Sequence, residues 1–359
     1  MAIALLHDWL NQLGGAEDVL SVLHDLYPAA PVFTSIYDRA RMPAGWQTWD
    51  IRSTWMDRLP LVYRHHQPYM PLFAQAWAAL RVPAEYDRVL SNKSAFCIGA
   101  RTVGRHVCYC LTPTRFTYDY AGYAERERIP AVAGLALRAI NILLRRWETA
   151  AAQRVSQFVA ISVEVQQRIR RFYDRDSVII YPPVQVEQFQ VGRMCEDFYL
   201  IVSRLLPYKR IDLAIETFNK LGLPLLIAGD GRDRRRLEQL AAGSSNVKLM
   251  GRVDDATLRH LLEHCRAFIF PGLEDFGIAP INAMACGKPV IAFAGGGALD
   301  TVIDGITGVL FDRQDVPSLS EAVQRASEMR FSPDAIRAHA EKFSVARFQE
   351  EIVRVMHQR

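Results

Sequence analysis

Short, mostly apolar runs alternate with amphipathic stretches along the whole chain. Runs at 2–6, 32–36, 88–90, 107–110, 157–161 and 178–181 predict strands, with helical periodicity at 16–26 and 163–172. The second of these helices follows Ser162, a side chain suited to cap a helix N-terminus. Pro182-Pro183 can continue neither element and interrupts the pattern. Beyond it the rhythm restarts, with strands expected at 199–202, 225–228, 247–250, 267–270, 290–292 and 309–311. Helices are expected between them at 211–220, 234–241, 256–264, 279–286 and 318–327. Strands alternating with helices imply parallel sheets covered on both faces. The expected fold class is therefore α/β, with two Rossmann-like doubly wound domains facing across a cleft. The expected divisions are 1–185, 186–340 and a last amphipathic helix in 341–359 that packs back on the first domain.

Composition narrows the class without changing it. The 359 residues are half hydrophobic and 23% charged, which excludes a disordered, collagen-like or coiled-coil chain. No uncharged apolar run approaches the ~20 residues that span a bilayer. Asp8 interrupts the first apolar stretch and no basic leader precedes it, so a cytoplasmic protein is expected. The six cysteines, 97, 108, 110, 195, 265 and 286, have no paired C-x2-C spacing, so neither disulfide nor metal site is expected. Of the net charge of +4, residues 1–185 carry +5 and residues 186–359 carry −1. No basic stripe or nucleic-acid-binding module accompanies that excess, so no nucleic-acid partner is expected.

In open parallel sheets ligands bind beyond the carboxyl ends of the strands, so the residues just after each strand carry the candidate chemistry. Gly14-Gly15 after the first strand opens a helix and offers unpaired N–H groups to an anion, although a plain glycine turn has the same form. Arg204 and Lys209 flank a Pro-containing loop and suit a diphosphate, Arg as a planar fork of donors and Lys as a compact charge. Gly229-Asp230-Gly231 either clears space for a ligand or simply makes a tight turn. Val253 lies in a loop that either holds a flat base against backbone or simply makes a good helix start. The most specific stretch is 271–289. Glu274 follows a strand there, Gly277, Ile278 and Ala279 begin a helix, Asn282 lies in its first turns, and Gly287 ends it. A carboxylate for hydroxyls beside a helix N-terminus for phosphate is what a sugar phosphate needs.

The run from Glu274 through Phe276 and Asn282 to Pro289 resembles the Glu-x7-Glu motif of glycosyltransferase family 4, retaining enzymes of GT-B fold. Arg204 with Lys209, and Tyr181-Pro-Pro-Val184, are similar to that family's cationic pair and inter-domain junction. The opening 7–17 and the stretch 106–116 resemble a bacterial surface-polysaccharide branch that includes mannosyltransferases. The resemblance implies metal-independent transfer from a nucleotide-sugar with no cofactor, GDP-mannose before a UDP-sugar. In it Arg204, Lys209 and Glu274 are the catalytic group, with Arg204 and Lys209 neutralising the leaving diphosphate. Glu274 and the Phe276, Gly277, Ile278 and Ala279 backbone bind the sugar and distal phosphate, Val253 the base, and Asn282 the ribose. Gly14 and Gly15 close on the phosphates.

Two positions depart from the family pattern. Asn282 replaces the second Glu and offers one neutral acceptor oxygen, so weaker or altered donor binding is implied. The His common at the end of a first-domain strand is absent, and Asn92 or Lys93, with His7 as an alternative contact, stands near that place. Segments 55–80 and 129–147 interleave apolar and aromatic residues with Arg58, Arg64, His65, His66, Arg138, Arg145 and Arg146. They read either as core helices or as a face resting on an anionic membrane. The expected acceptor is a glycan or polyprenyl-diphosphate-linked sugar, reached from the inner face of the cell membrane. A catalytically degenerate sugar-nucleotide-binding protein is the competing reading.

Overall fold

Every paired strand runs parallel to its neighbour in a computed structural model that describes residues 2–64, 69–118 and 131–358, with side chains described outside 131–139. The chain divides into two units, Met1–Tyr181 with Phe348–Arg359, and Pro182–Arg347. In the first unit the strands are β1 (Ile3–His7), β2 (Val32–Thr34), β3 (Ile51–Ser53), β4 (Arg88–Lys93), β5 (Arg105–Cys110), β6 (Gln157–Ala160) and β7 (Ser177–Ile179). They lie in the order β3-β2-β1-β4-β5-β6-β7. All five residues of β1 are buried, as a central strand covered on both faces requires.

Unit 2 repeats the arrangement with β8 (Tyr199–Val202), β9 (Leu225–Ala228), β10 (Val247–Gly251), β11 (Phe268–Phe270), β12 (Val290–Phe293) and β13 (Gly308–Phe311). Their order is β10-β9-β8-β11-β12-β13. Each sheet therefore reverses direction once, between β1 and β4 in unit 1 and between β8 and β11 in unit 2. At such a switch point the loops diverge to opposite faces and leave a crevice at the strand carboxyl ends.

Local sequence explains the helix limits. Ser162 Oγ accepts from Val165 N–H at 3.2 Å to cap Val163–Tyr173, and Asp254 does the same for Thr257 N–H at 2.7 Å at the head of Asp255–His264. Gly222 and Gly287, at φ +67° and +71°, follow Ile211–Leu221 and Ile278–Ala285 in the left-handed region that glycine tolerates. The sequence pattern did not reveal β3, a three-residue, partly exposed strand at the sheet edge, or the helix Pro333–Ala340, while helix Met70–Ala79 lies within 55–80, where a core helix was one of the two readings.

The aromatic stripe in 55–80 is largely core. Phe73 and Trp77 are fully buried against Ala4, Leu6 and Phe96, while Trp55 alone of its five aromatics is clearly exposed. The expectation of a membrane face in that segment gives way to packing; His65 and His66 lie outside the described residues. Helix Ala131–Ala152 is different, because Ile142, Leu143, Arg145 and Arg146 are exposed while Leu144 is buried. Residues 129 and 130, and the Arg138 side chain, lie outside the described residues. No helix among the described residues is long and apolar enough to cross a membrane.

Candidate functional site

The switch point of unit 2 brings together the loops after β8 and β11. Lys209, in the short turn Pro207–Lys209, forms an ion pair with Glu274, and both side chains are mostly buried. Gly272 makes this approach possible: a Cβ there would come within 2.8 Å of the Lys209 Cα and 2.9 Å of its carbonyl oxygen. Arg204 stands in the same loop after β8, exposed and outside any ion pair among the described residues. Lys209 also lies 5.3 Å from the centre of the Tyr208 ring. The loop after β11 is held from below, where Gln314 Nε2 donates to Pro271 O at 2.7 Å.

Backbone rather than side chain forms the rest of this crevice. Gly277 precedes helix Ile278–Ala285 with φ +100°, a conformation that L side chains rarely adopt. The turn leaves the first N–H groups of the helix, Ile278 and Ala279 among them, without intrahelical acceptors and at the positive end of its dipole. Phe276 is buried against Phe343, so only its backbone is available at the loop surface. Asn282 sits one turn into the same helix, half-buried. Val253, also half-buried, precedes the Asp254 cap.

The glycines of this unit have different causes. A Cβ on Gly229 would fall 1.8 Å from Ser203 O, and one on Gly231 would fall 2.3 Å from Leu205 O. Both are required by the close passage of the loops after β8 and β9, which accounts for them without a ligand. In the run Gly295-Gly296-Gly297, the last two meet the backbone of Glu274 and Phe276 closely, and Gly297 N–H donates to Glu274 O at 2.9 Å. Its signal was available as a glycine run between a strand and a helix.

The switch point of unit 1 holds a buried network. His7, the last residue of β1, is paired in register with Asn92 of β4. Asn92 Nδ2 donates to Ala16 O at 2.7 Å and reaches His7 Nδ1 at 3.2 Å. Since that amide nitrogen only donates, His7 Nδ1 accepts, and Nε2–H is left to donate to Glu17 Oε1 at 3.3 Å. The three side chains fasten β1 and β4 to the start of helix Gly15–Leu26, behind Gly14 and Gly15. Gly14 has an extended backbone, and a Cβ there would meet nothing closer than 3.5 Å, so the fold itself does not demand glycine.

Lys93 corrects an expectation. It is fully buried and bound to Glu148 Oε1 at 3.0 Å, Thr112 O at 3.3 Å and Thr114 Oγ1 at 3.3 Å, so its ammonium is not presented to a substrate. Burial is the largest influence and opposes its charge, but Glu148 together with Cys110, Asp8 and Cys108 holds the ammonium above its ordinary range. Asp8, read from the sequence only as an interruption, accepts backbone N–H bonds from Ser94, Ala95, Phe96 and Cys97 at 2.6–2.8 Å. It thereby fixes the loop after β4.

Residues 186–343 match the family model described as Glycosyl transferases group 1. An uncharacterized glycosyltransferase of Methanocaldococcus jannaschii is 26% identical over 46% of this chain and 48% of its own length. A GDP-mannose-dependent monoacylated alpha-(1-6)-phosphatidylinositol monomannoside mannosyltransferase of Corynebacterium glutamicum is 36% identical over 33% and 35%. The chain thus spans about half the length, or less, of these relatives. Among solved structures, HepE of Anabaena in complex with UDP superposes with a TM-score of 0.72 over 99% of both chains at 18% identity. The apo lipopolysaccharide outer core galactosyltransferase WaaB gives 0.70 over 98% of both at 17%. The two Rossmann-like units have the architecture of the GT-B fold, and the second is related to the group 1 glycosyl transferases.

Proposed function

We propose that this chain is a retaining glycosyltransferase that takes mannose from GDP-mannose and passes it to a glycan or polyprenyl-diphosphate-linked acceptor. The observation that carries the reading is the Lys209–Glu274 pair at the switch point of unit 2, beside Arg204 and the Gly277 turn. A diphosphate leaving group needs cations and oriented N–H donors, and a sugar needs a carboxylate acceptor; this crevice supplies all three. In the reading, Arg204 and Lys209 take the charge that develops on the diphosphate as the sugar–oxygen bond breaks. Glu274 accepts from sugar hydroxyls, and the Ile278 and Ala279 N–H groups meet the distal phosphate. Val253 lies against the base and Asn282 accepts from or donates to the ribose.

Gly14 and Gly15 serve the phosphates from unit 1, and the unforced glycine at position 14 supports that role. His7 and Asn92 act behind them as positioning residues. The leaving phosphate oxygen takes the acceptor's proton on the same face, so no side-chain base or metal enters the step. The mannose assignment is supported by the Corynebacterium relative named as GDP-mannose-dependent. Exposed Ile142 and Leu143 beside Arg145 and Arg146 support peripheral attachment to the cytoplasmic, anionic membrane face. That attachment is read by co-sedimentation with anionic vesicles at low salt.

The test is thermal denaturation with GDP, UDP and their sugars, followed by nucleotide release with and without EDTA and by the product's anomeric configuration. The reading expects a shift with GDP-mannose, EDTA-insensitive release and retained configuration. A UDP-selective shift moves the donor to a UDP-sugar, and binding without turnover makes the chain a sugar-nucleotide-binding protein. No shift with any nucleotide removes the crevice assignment.

A further inference from the structure

At the opposite end of the unit 2 sheet, away from the strand carboxyl ends, three metal-ligating side chains converge. His260 and His264 lie four residues apart on helix Asp255–His264 and therefore share one face. Their rings stack with centroids 4.2 Å apart. Glu196, just before β8, places Oε1 3.2 Å from His260 Nε2, and one ligand atom from each of the three lies within 4.8 Å of the others. We propose that Glu196, His260 and His264 form a binding site for a divalent transition-metal ion of the zinc and nickel class.

The backbone prepares the donors. His264 Nδ1 is 2.8 Å from His260 O, an acceptor only, so that nitrogen carries the proton and Nε2 keeps its lone pair for a metal. A ligating imidazole is commonly oriented in this way through its other ring nitrogen. Glu196 is tied to the same helix end, because its N–H donates to His264 O at 2.7 Å. Tetrahedral bonds of about 2.0–2.1 Å place neighbouring ligand atoms roughly 3.3 Å apart. The His260–Glu196 separation already has that length, and the His264 ligand atom lies within 4.8 Å of both. Two imidazoles and one carboxylate favour zinc, nickel, cobalt or copper over magnesium or calcium, which prefer all-oxygen shells. Water completes the coordination, since two of the three residues are exposed.

The ion would fasten the segment entering β8 to the end of helix Asp255–His264. That helix is about 15 Å long at 1.5 Å per residue, and its other end adjoins the Val253 loop. The site is thus remote from the proposed transfer chemistry and separate from its metal requirement. As a bare His–Glu ion pair on the surface, the same groups contribute little to stability.

The experiment is calorimetric titration of the tag-free full chain with nickel and zinc chlorides, with magnesium chloride as control. H260Q, H264Q, E196Q and the neighbouring-thiol control C195S are titrated alongside, and circular dichroism checks their folding. The expected result is one nickel or zinc ion per chain, binding weakened about 10–100-fold or more in each of the three ligand variants. C195S should bind as the parent does, magnesium should not bind, and zinc should raise the melting temperature of the parent but not of H260Q/H264Q. Equal nickel affinity in the parent and in H260Q/H264Q overturns the site, as does a parent that binds neither ion. Unchanged affinity in E196Q overturns the three-ligand assignment. Nucleotide binding is measured separately, so failure here is distinguishable from failure of the transferase reading.

Discussion

Replacing Lys93 by methionine removes the ammonium from a place where nothing can replace it. The Glu148 carboxylate left behind is fully buried, and its Oε1 keeps only Tyr173 OH at 2.6 Å, Thr114 Oγ1 at 2.7 Å and Thr114 N–H at 3.3 Å. These donors do not neutralise it, and its Oε2 has no partner among the described residues. Breaking one side of such a pair costs about 3–5 kcal/mol, because an uncompensated charge stays in the interior. E148Q should cost a similar amount by stranding the ammonium. In K93M/E148Q both charges are gone and the Gln carbonyl still accepts from Tyr173, so roughly 2 kcal/mol is expected, mainly for the bond lost to Thr112 O. The sum of the single losses should therefore exceed the double loss by about 3 kcal/mol or more. Urea denaturation followed by tryptophan fluorescence reads unit 1 selectively, since all six tryptophans, 9, 46, 49, 55, 77 and 147, lie in it. Additive single losses, or a K93M loss under about 1 kcal/mol, would refute the reasoning. A stable double variant that has lost nucleotide affinity would return Lys93 to the substrate.

E274Q should lower kcat/KM for the donor by about 100-fold or more, the scale of a lost transition-state contact, while the melting temperature changes little; steady-state kinetics beside calorimetry reads both. G229A should destabilise unit 2 by about 2 kcal/mol or more, because the new Cβ meets Ser203 O at 1.8 Å and φ is +138°. Hydrogen exchange confined to Pro182–Arg347 measures that loss, and an unperturbed variant contradicts the packing account. His106 is held neutral by burial, with its pKa pushed down from 6.5 to about 4. Between those values the unfolded chain binds the proton and the folded chain does not, so stability falls as pH drops through this window and levels off below it. The full loss is about 3 kcal/mol, and H106Q should flatten that part of the pH–stability curve. Identical acid limbs in the two proteins would falsify it.

How much of this was legible depended on the range of each interaction. Unit 2 follows from local pattern: most of its strands are largely buried runs, helices Asp255–His264, Val316–Glu328 and Pro333–Ala340 carry side-chain caps, and the strand-end rule points directly at Arg204, Lys209 and Glu274. Unit 1 was harder because its site is assembled from distant side chains. Asp8 meets residues 94–97, and nothing near it in the chain announces that partnership. β3 has only three residues, too few for any period to emerge. The alternation of β4 bears on the choice between Asn92 and Lys93. Adjacent strand residues point to opposite faces, so Asn92 and Lys93 cannot both share the side on which His7 meets Asn92. The His260–His264 spacing was visible, but Glu196 joins it only when β8 is laid beside the end of the helix.

The Lys209–Glu274 pair changes what the proposed site must do to accept a donor. Because the two charges neutralise each other, Arg204 is the cation in those two loops left outside an ion pair among the described residues. A diphosphate carries more negative charge than one arginine offsets. In the proposed reading, binding is therefore an exchange in which Lys209 turns from Glu274 to a phosphate oxygen and the freed carboxylate turns to sugar hydroxyls. The backbone need not move for this, since Gly272 already holds the two loops in contact. The exchange also couples the two halves of recognition: a nucleotide without its sugar takes Lys209 but leaves Glu274 with no partner. Asn282 shifts this balance. With a neutral amide where the Glu-x7-Glu motif it resembles has a second carboxylate, the proposed crevice carries one less negative charge near the phosphates and one weaker acceptor for the ribose. In the proposed reading this favours the anion at the expense of the hydroxyls and places more of the donor selection on Glu274.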